Sequence, residues 1–294
     1  MLPTGTGTAI VTPFGPDGTV DHRALAALAI WQVDEGIDFL VACGSTGEAA
    51  TLDATERVAV VTTVVEAAAG RVPVLAGATD NSTARAVEEA RRLAALGVSG
   101  IMSASPYYNK PTQAGLAAHF TAIADAIALP LLLYNVPGRS GVDLKPETVA
   151  ELAQHPRIEG IKEASGSVRR VLDLASVLPE SFTIFCGDDD LAVPAIAAGA
   201  QGLISVASNA MPRIIADLVR LAMAGEVDAA RRALLPLLPF IDALFAEANP
   251  IPVKAVLSMQ GRTADAVRLP LVPATAALRQ RLTLLLAELE FLHA

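Results

Sequence analysis

The segment GIKEASG, residues 160–166, places a lysine inside an apolar run. The chain has only four lysines, Lys110, Lys145, Lys162 and Lys254, and arginine supplies most of its basic charge. A primary amine near the end of a buried strand has two readings. It can snorkel or pair with an acid; Glu163 follows it, although strand alternation puts Glu163 on the opposite face. Where desolvation disfavours the ammonium form, it can instead attack a ketone or aldehyde and form a Schiff base. The protonated imine then acts as an electron sink for carbanion chemistry at the neighbouring carbon. Lys162 alone does not choose between these readings, so its company must.

Four other segments carry polar groups at the ends of apolar runs. Gly44-Ser45-Thr46-Gly47-Glu48 offers two hydroxyls and several backbone N–H groups, which suits a carboxylate as well as an ordinary glycine-rich turn. Tyr134 is either a core tyrosine or a proton-transfer group for a carbonyl becoming an imine. Arg139, on a Pro-Gly loop, is either a solvated surface residue or a bidentate clamp for a second carboxylate. Asp188-Asp189 has the look of a metal pair, but a helix N-cap is the simpler role. The run 100–105 ends in Pro106-Tyr107-Tyr108-Asn109-Lys110-Pro111, so all three tyrosines of the chain, Tyr107, Tyr108 and Tyr134, stand at strand ends.

The elements that must position these groups follow from hydrophobic periodicity. Apolar runs recur at 8–14, 37–44, 72–78, 100–105, 129–136, 158–165, 182–188 and 202–208. They are continuous rather than alternating, as expected of parallel strands buried on both faces. Ala/Leu-rich amphipathic stretches lie between and after them, at 21–35, 53–69, 82–96, 113–128, 145–154, 168–178, 189–198 and 212–224. Asp53 with Glu56 fits a capping box, Asn81-Ser82 and Ser167 fit N-caps, and Gly70, Gly97 and Gly225 follow helices. Alternation of this kind predicts an α/β fold, a (β/α)8 TIM barrel over residues 1–225. An open doubly wound sheet would want a GxGxxG turn after its first strand, and GTGTAIVTPFG has its glycines before the strand. Residues 226–294 read as a C-terminal helical appendage, with helices near 226–246, 251–260 and 272–292 broken at Asn249-Pro250 and Leu269-Pro270. In such a barrel the strand C-termini carry the active site, which gathers the polar segments on one face.

Composition narrows the partners. The chain of 294 residues is 52% hydrophobic with a net charge of −9, which argues against nucleic acid and anionic membranes. No apolar run is long enough for a membrane span and no secretion signal is read at the N-terminus, so the expected location is the cytoplasm. Cys43 and Cys186 read as buried reduced thiols. His22, His119, His155 and His293 show no ligand spacing, so no metal is expected.

GTAIVTPF, GSTGEAATL, SPYYNKPTQAGL, LYNVPGRSG, GIKEASG, GDDDLAVPAIAAGAQGLISV, ANPIPVK and RLPLVP occur in that order. Together they resemble the dihydrodipicolinate synthase (4-hydroxy-tetrahydrodipicolinate synthase) family, within the pyruvate-dependent class I aldolase and N-acetylneuraminate lyase superfamily. The resemblance covers Thr6 to about Pro273. It implies that Lys162 forms the Schiff base with pyruvate and that Tyr134 is the general acid and base. It implies a proton relay of Tyr134, Ser45 and Tyr108, with Tyr108 donated across a subunit interface. Thr46 would hold the pyruvate carboxylate, Arg139 the carboxylate of L-aspartate 4-semialdehyde, and Ile204 would bring backbone close to pyruvate. It further implies the first committed step of diaminopimelate and lysine biosynthesis, a homotetramer built as a dimer of dimers, and no separate cofactor.

Two departures from the family pattern stand out. Ser45 replaces the usual threonine, which keeps the hydroxyl and loses the β-branch. The resulting Ser-Thr pair also resembles the N-acetylneuraminate lyase branch, so a sister aldolase acting on N-acetylneuraminate, 2-keto-3-deoxygluconate or 4-hydroxy-2-oxoglutarate is the alternative. Arg139 favours a small second carboxylate over a sugar chain. The second departure concerns feedback inhibition. Family members inhibited by lysine bind it near Asn81 and Tyr107 with histidines and a glutamate. Here Ala54, Arg57 and Arg85 stand at those places, and added cations disfavour a cationic ligand, so little or no lysine inhibition is expected.

Overall fold

The computed structural model describes the backbone of residues 1–293 and the side chains of residues 1–289. Ala294 and the His293 side chain therefore lie outside the described residues. Eight strands, β1 (Gly5–Ala9), β2 (Phe39–Ala42), β3 (Val74–Gly77), β4 (Gly100–Ala104), β5 (Leu131–Asn135), β6 (Ile158–Glu163), β7 (Thr183–Cys186) and β8 (Gly202–Ser205), close into one barrel in sequence order. Every neighbouring pair is parallel, including β8 with β1. Helices follow the strands around the outside, so each strand is covered by the lumen on one side and by helices on the other.

Strand parity divides the core in two. A lumen cluster takes Phe39, Val41, Leu75, Met102, Leu132, Phe185 and Ile204 and is topped by Tyr134. A larger cluster fills the space between strands and helices. It continues without a break into the C-terminal helices through Leu237, Phe240, Val253 and Leu282. The helices after the barrel thus share its core.

Strand one departs from expectation. The apolar run 8–14 predicts it there, but β1 is Gly5–Ala9. Pairing decides the register: Gly5 to Thr8 lie opposite Gly202 to Ser205, and Gly7 to Ala9 opposite Phe39 to Val41. Small residues suit that position, because a Cβ on Gly7 would collide with the Phe39 ring. Ile10, Val11 and Phe14 are buried beyond the strand, so the run reported burial rather than pairing.

The C-terminal helices also depart from expectation. The stretch 226–246 is not one helix but Val227–Leu234, a 3-10 turn Leu235–Leu237, and Leu238–Leu244. Pro236 and Pro239 lack the N–H an uninterrupted α-helix requires. The last helix starts only at Ala276, beyond Pro270 and Pro273. The stretch 189–198 begins as a 3-10 turn, Asp189–Leu191, before the helix Ala192–Ala197. The capping box forms: Glu56 N–H donates to Asp53 Oδ1 (2.8 Å) and Asp53 N–H to Glu56 Oε2 (3.0 Å). Ser82 and Ser167 occupy N-cap positions without a side-chain capping bond.

Candidate active site

Lys162 sits on β6 directly opposite Tyr134 on β5. Residues in register on neighbouring strands share a face, so both side chains enter the lumen near the strand C-termini. Lys162 Nζ lies 4.6 Å from the centre of the Tyr134 ring. Lys162 is 5% exposed, and among the described residues its ammonium makes no ion pair or hydrogen bond with the protein. Its space depends on Gly187 just after β7: a Cβ there would stand 2.9 Å from Lys162 Cε and 2.7 Å from Ala164 Cβ.

The opposite faces of the same strands carry the bracing. Asn135 and Glu163 are the next register pair and face outward. Asn135 Nδ2 donates to Glu163 Oε2 and to Asp143 Oδ1, each at 3.0 Å, and Asn135 Oδ1 accepts from Leu144 N–H. Glu163 Oε1 accepts from Ser165 N–H at 2.8 Å. Burial pushes the Glu163 carboxyl above the usual range, against these hydrogen bonds. The network ties the ends of β5 and β6 together and thereby fixes where Tyr134 and Lys162 point.

The Gly44–Glu48 segment folds as a tight turn after β2. Gly47 and Glu48 N–H are consumed inside it, on Gly44 O and Ser45 O (both 3.1 Å), leaving those of Ser45 and Thr46 unused by the turn. Thr12 Oγ1 donates to Gly47 O at 2.7 Å. Glu48 has φ +51° and turns its carboxylate inward, where it meets Lys254 Nζ and Arg268 N–H. Thr46 is buried and its hydroxyl accepts from Asn249 Nδ2 at 2.9 Å. Arg139 lies on a short helix, Pro137–Ser140, rather than the expected loop; its Nη2 donates to Asn249 O at 3.2 Å.

These residues enclose a cavity of about 180 Å³ lined by Ser45, Thr46, Tyr134, Arg139, Lys162, Gly187, Asp188, Val206 and Asn249, among others. A second cavity of about 460 Å³ shares Ser45, Tyr134, Arg139 and Asn249 and extends toward Arg57, Asp80 and Tyr107. Five of the seven sequence-derived site residues thus meet at one place. The other two do not line either cavity. Ile204 is buried in the lumen below, and Val206 lines the wall instead. Tyr108 is 88% exposed, with φ +71°, and is not among the residues lining the two cavities.

The acidic pair is not a pair of side-chain caps. Asp188 holds the N-cap position of the 3-10 turn, but its carboxylate accepts from Gly166 N–H (3.1 Å) and its residue lines the cavity. Burial pushes its carboxyl up to about 6, opposed by that N–H and the Lys162 cation. Asp189 is buried beneath the wall and accepts from Ser205 Oγ and from Val206 N–H (3.0 Å). Among the described residues no cluster of His, Cys, Asp and Glu is placed to hold a metal. Burial pushes both thiols, Cys43 and Cys186, up to about 12, which leaves them inert.

The family model described as the dihydrodipicolinate synthetase family matches residues 2–289. The chain belongs to this family. The 4-hydroxy-tetrahydrodipicolinate synthase of Koribacter versatilis (strain Ellin345) is 49% identical over 285 residues, 97% of this chain and 95% of the relative. That of Geobacter metallireducens is 46% identical over 288 residues, 98% of this chain and 99% of the relative. Among solved structures, the synthase from the methanotroph Methylacidiphilum fumariolicum SolV superposes with a TM-score of 0.95 at 42% identity, covering 98% of this chain and 96% of that one. The closed barrel and the helices after it are therefore the architecture of the synthetase family.

Asn249, Glu48 and Lys254 escaped the residue-by-residue reading of the site. The ANPIPVK segment stood out, but Asn249-Pro250 read only as a break between helices. The available signal was Lys254, one of four lysines, within a run otherwise apolar.

Proposed function

We propose that this protein is a 4-hydroxy-tetrahydrodipicolinate synthase acting in the cytoplasm, a lyase that condenses pyruvate with L-aspartate 4-semialdehyde. The observation that carries this reading is an unpaired, buried lysine beside a tyrosine, with a hydroxyl-bearing turn and an arginine on the same cavity. Lys162 attacks the ketone of pyruvate; water leaves and an imine forms. Tyr134, whose ring centre lies 4.6 Å from the amine, moves the protons of these steps through its hydroxyl, relayed through Ser45 and the Tyr108 of a neighbouring subunit. Loss of a methyl proton gives an enamine, whose carbon attacks the aldehyde. The amino group of the semialdehyde then adds to the imine carbon, expelling the Lys162 amine and closing the ring. One water is released overall and the enzyme is regenerated without a separate cofactor.

The carboxylates set orientation. Thr46 takes that of pyruvate, with backbone of the turn and of Ile204 nearby, and Arg139 takes that of the semialdehyde. The exposed Tyr108 fits donation across an interface, within a homotetramer arranged as a dimer of dimers. The larger cavity near Tyr107 presents Arg57, with Arg85 held on Asp80 (2.8 Å), and Ala54 offers no side-chain ligand. We therefore expect no inhibition by submillimolar lysine. The decisive experiment couples pyruvate and L-aspartate 4-semialdehyde to dihydrodipicolinate reductase and follows NADPH. Loss of NADPH that requires both substrates supports the proposal; no loss, with the reductase active on a known synthase's product, overturns it.

A further inference from the structure

The C-terminal region lines the cavity with Phe245 and Asn249, and the bonding of Asn249 there is asymmetric. Asn249 Nδ2 donates to Thr46 Oγ1 at 2.9 Å, while the peptide carbonyl of the same residue accepts from Arg139 Nη2 at 3.2 Å. Thr46 is 3% exposed, and among the described residues Asn249 is the one hydrogen-bond partner of its hydroxyl. A hydroxyl has one proton and two acceptor lone pairs. When an amide N–H occupies a lone pair, the proton stays free for another acceptor. Were the amide oxygen to face Thr46, the hydroxyl would spend that proton on Asn249 and turn only lone pairs toward a ligand. Lys162 lines the same cavity, so a ligand attached there with an adjacent carboxylate meets Thr46 as a donor only in the first arrangement.

The segment behind Asn249 is fixed. Lys254, buried a turn further along the helix Ile251–Met259, bonds Glu48 at the end of the same turn that carries Thr46. Two ties, at residues 46 and 48, therefore lock the C-terminal region onto the turn.

We infer that Asn249 is a positioning residue for carboxylate recognition: its side-chain amide commits the Thr46 hydroxyl proton to the pyruvate carboxylate, and its backbone carbonyl steadies Arg139. The inference rests on the reading that this cavity takes pyruvate. The C-terminal helices are on this view part of substrate recognition as well as of the core.

The test is a titration of pyruvate against borohydride trapping on the full-length protein, read by intact mass, for the wild type, Asn249→Asp, Asn249→Ala, Thr46→Val and the double variant Thr46→Val with Asn249→Ala. Asn249→Asp gives Thr46 a stronger acceptor and adds negative charge, so the half-saturating pyruvate concentration rises by about tenfold or more, with the trapped fraction at saturation retained. Asn249→Ala raises it by about three- to tenfold, and that effect shrinks to under about twofold when Thr46 is already Val. A residue that only held the chain together would lower the saturating fraction and act equally in both backgrounds. Equal effects with and without the Thr46 hydroxyl overturn the inference, as does unaltered half-saturation in Asn249→Asp; if that variant fails to fold, the Ala and Val set decides. Wild-type protein that traps no pyruvate overturns the parent reading and this inference with it. Trapping without turnover of the semialdehyde overturns only the parent reading, and the titration still decides the role of Asn249.

Discussion

Lys162 and Lys254 are both buried, 5% and 0% exposed, and each sets its ammonium against an aromatic ring. They differ in everything else. Lys254 Nζ bonds the Glu48 carboxylate and Ala266 O (2.9 Å), and lies 4.1 Å from the Phe14 ring centre. Burial pulls its amine down to about 8, resisted by Glu48. Lys162 has no such partner among the described residues, opens onto a cavity, and its ring neighbour carries a hydroxyl. Burial of a lysine is therefore no signal of chemistry by itself. A buried amine that the fold pairs with an acid ties segments together, whereas one left unpaired beside a cavity is available to react.

The comparison breaks most sharply at Lys162→Ala. We expect no borohydride-trapped pyruvate adduct and a loss of turnover beyond about a thousandfold, with the thermal transition unchanged or raised. An adduct that persists on the variant would falsify the assignment. Next in size is Tyr134→Phe, which leaves Lys162, like Lys254, against a ring without a hydroxyl. Turnover should fall about 10²- to 10⁴-fold while denaturant unfolding shifts little; undiminished turnover removes Tyr134 from the proton path.

The converse experiment is Lys254→Met. It strands Glu48 as a buried, half-satisfied carboxylate, and urea unfolding should show a loss of about 3–5 kcal/mol. Adding Glu48→Gln should recover part of it. No change in the unfolding midpoint would mean that the pair does not tie the two segments.

The smallest effect concerns Asp188, the carboxylate on the Lys162 side. Its carboxyl is held at about 6 in the fold against an ordinary value of 3.8. The folded state then binds the extra proton between those values, so stability falls as pH rises from 3.8 to about 6 and stays lowered above. Asp188→Asn should thus be more stable by up to about 3 kcal/mol at pH 7 and indistinguishable below pH 4. A constant difference across that range would show that burial of the charge is not the cause.

Much of the site was legible residue by residue. Lys162, Tyr134, Ser45, Thr46 and Arg139 all stand where apolar runs end, and strand parity alone separates Lys162 from Glu163. The strand count and sequence order of the barrel were equally visible in the alternating runs. What failed was the meaning of a run's edge. Residues 10–14 are buried like a strand, yet β1 ends at Ala9, the last residue in register with β2 and one beyond the last in register with β8. Asp188 and Asp189 look alike in sequence, but one faces the cavity and the other braces Ser205 from below.

The sequence by itself determined the period of the fold, the face on which polar groups gather and the presence of an amine, a phenol, two hydroxyls and a guanidinium on that face. Those follow from local alternation and residue chemistry. Only the tertiary structure decided which lysine is free and which is satisfied. Glu48 and Lys254 are separated by 206 positions, and so by almost the length of the barrel. The same holds for Asn249, 203 positions from Thr46. No periodicity couples residues so far apart: closure of the barrel and packing of the last helices against it bring them together, and side-chain geometry then settles which polar atoms are consumed and which remain for a ligand.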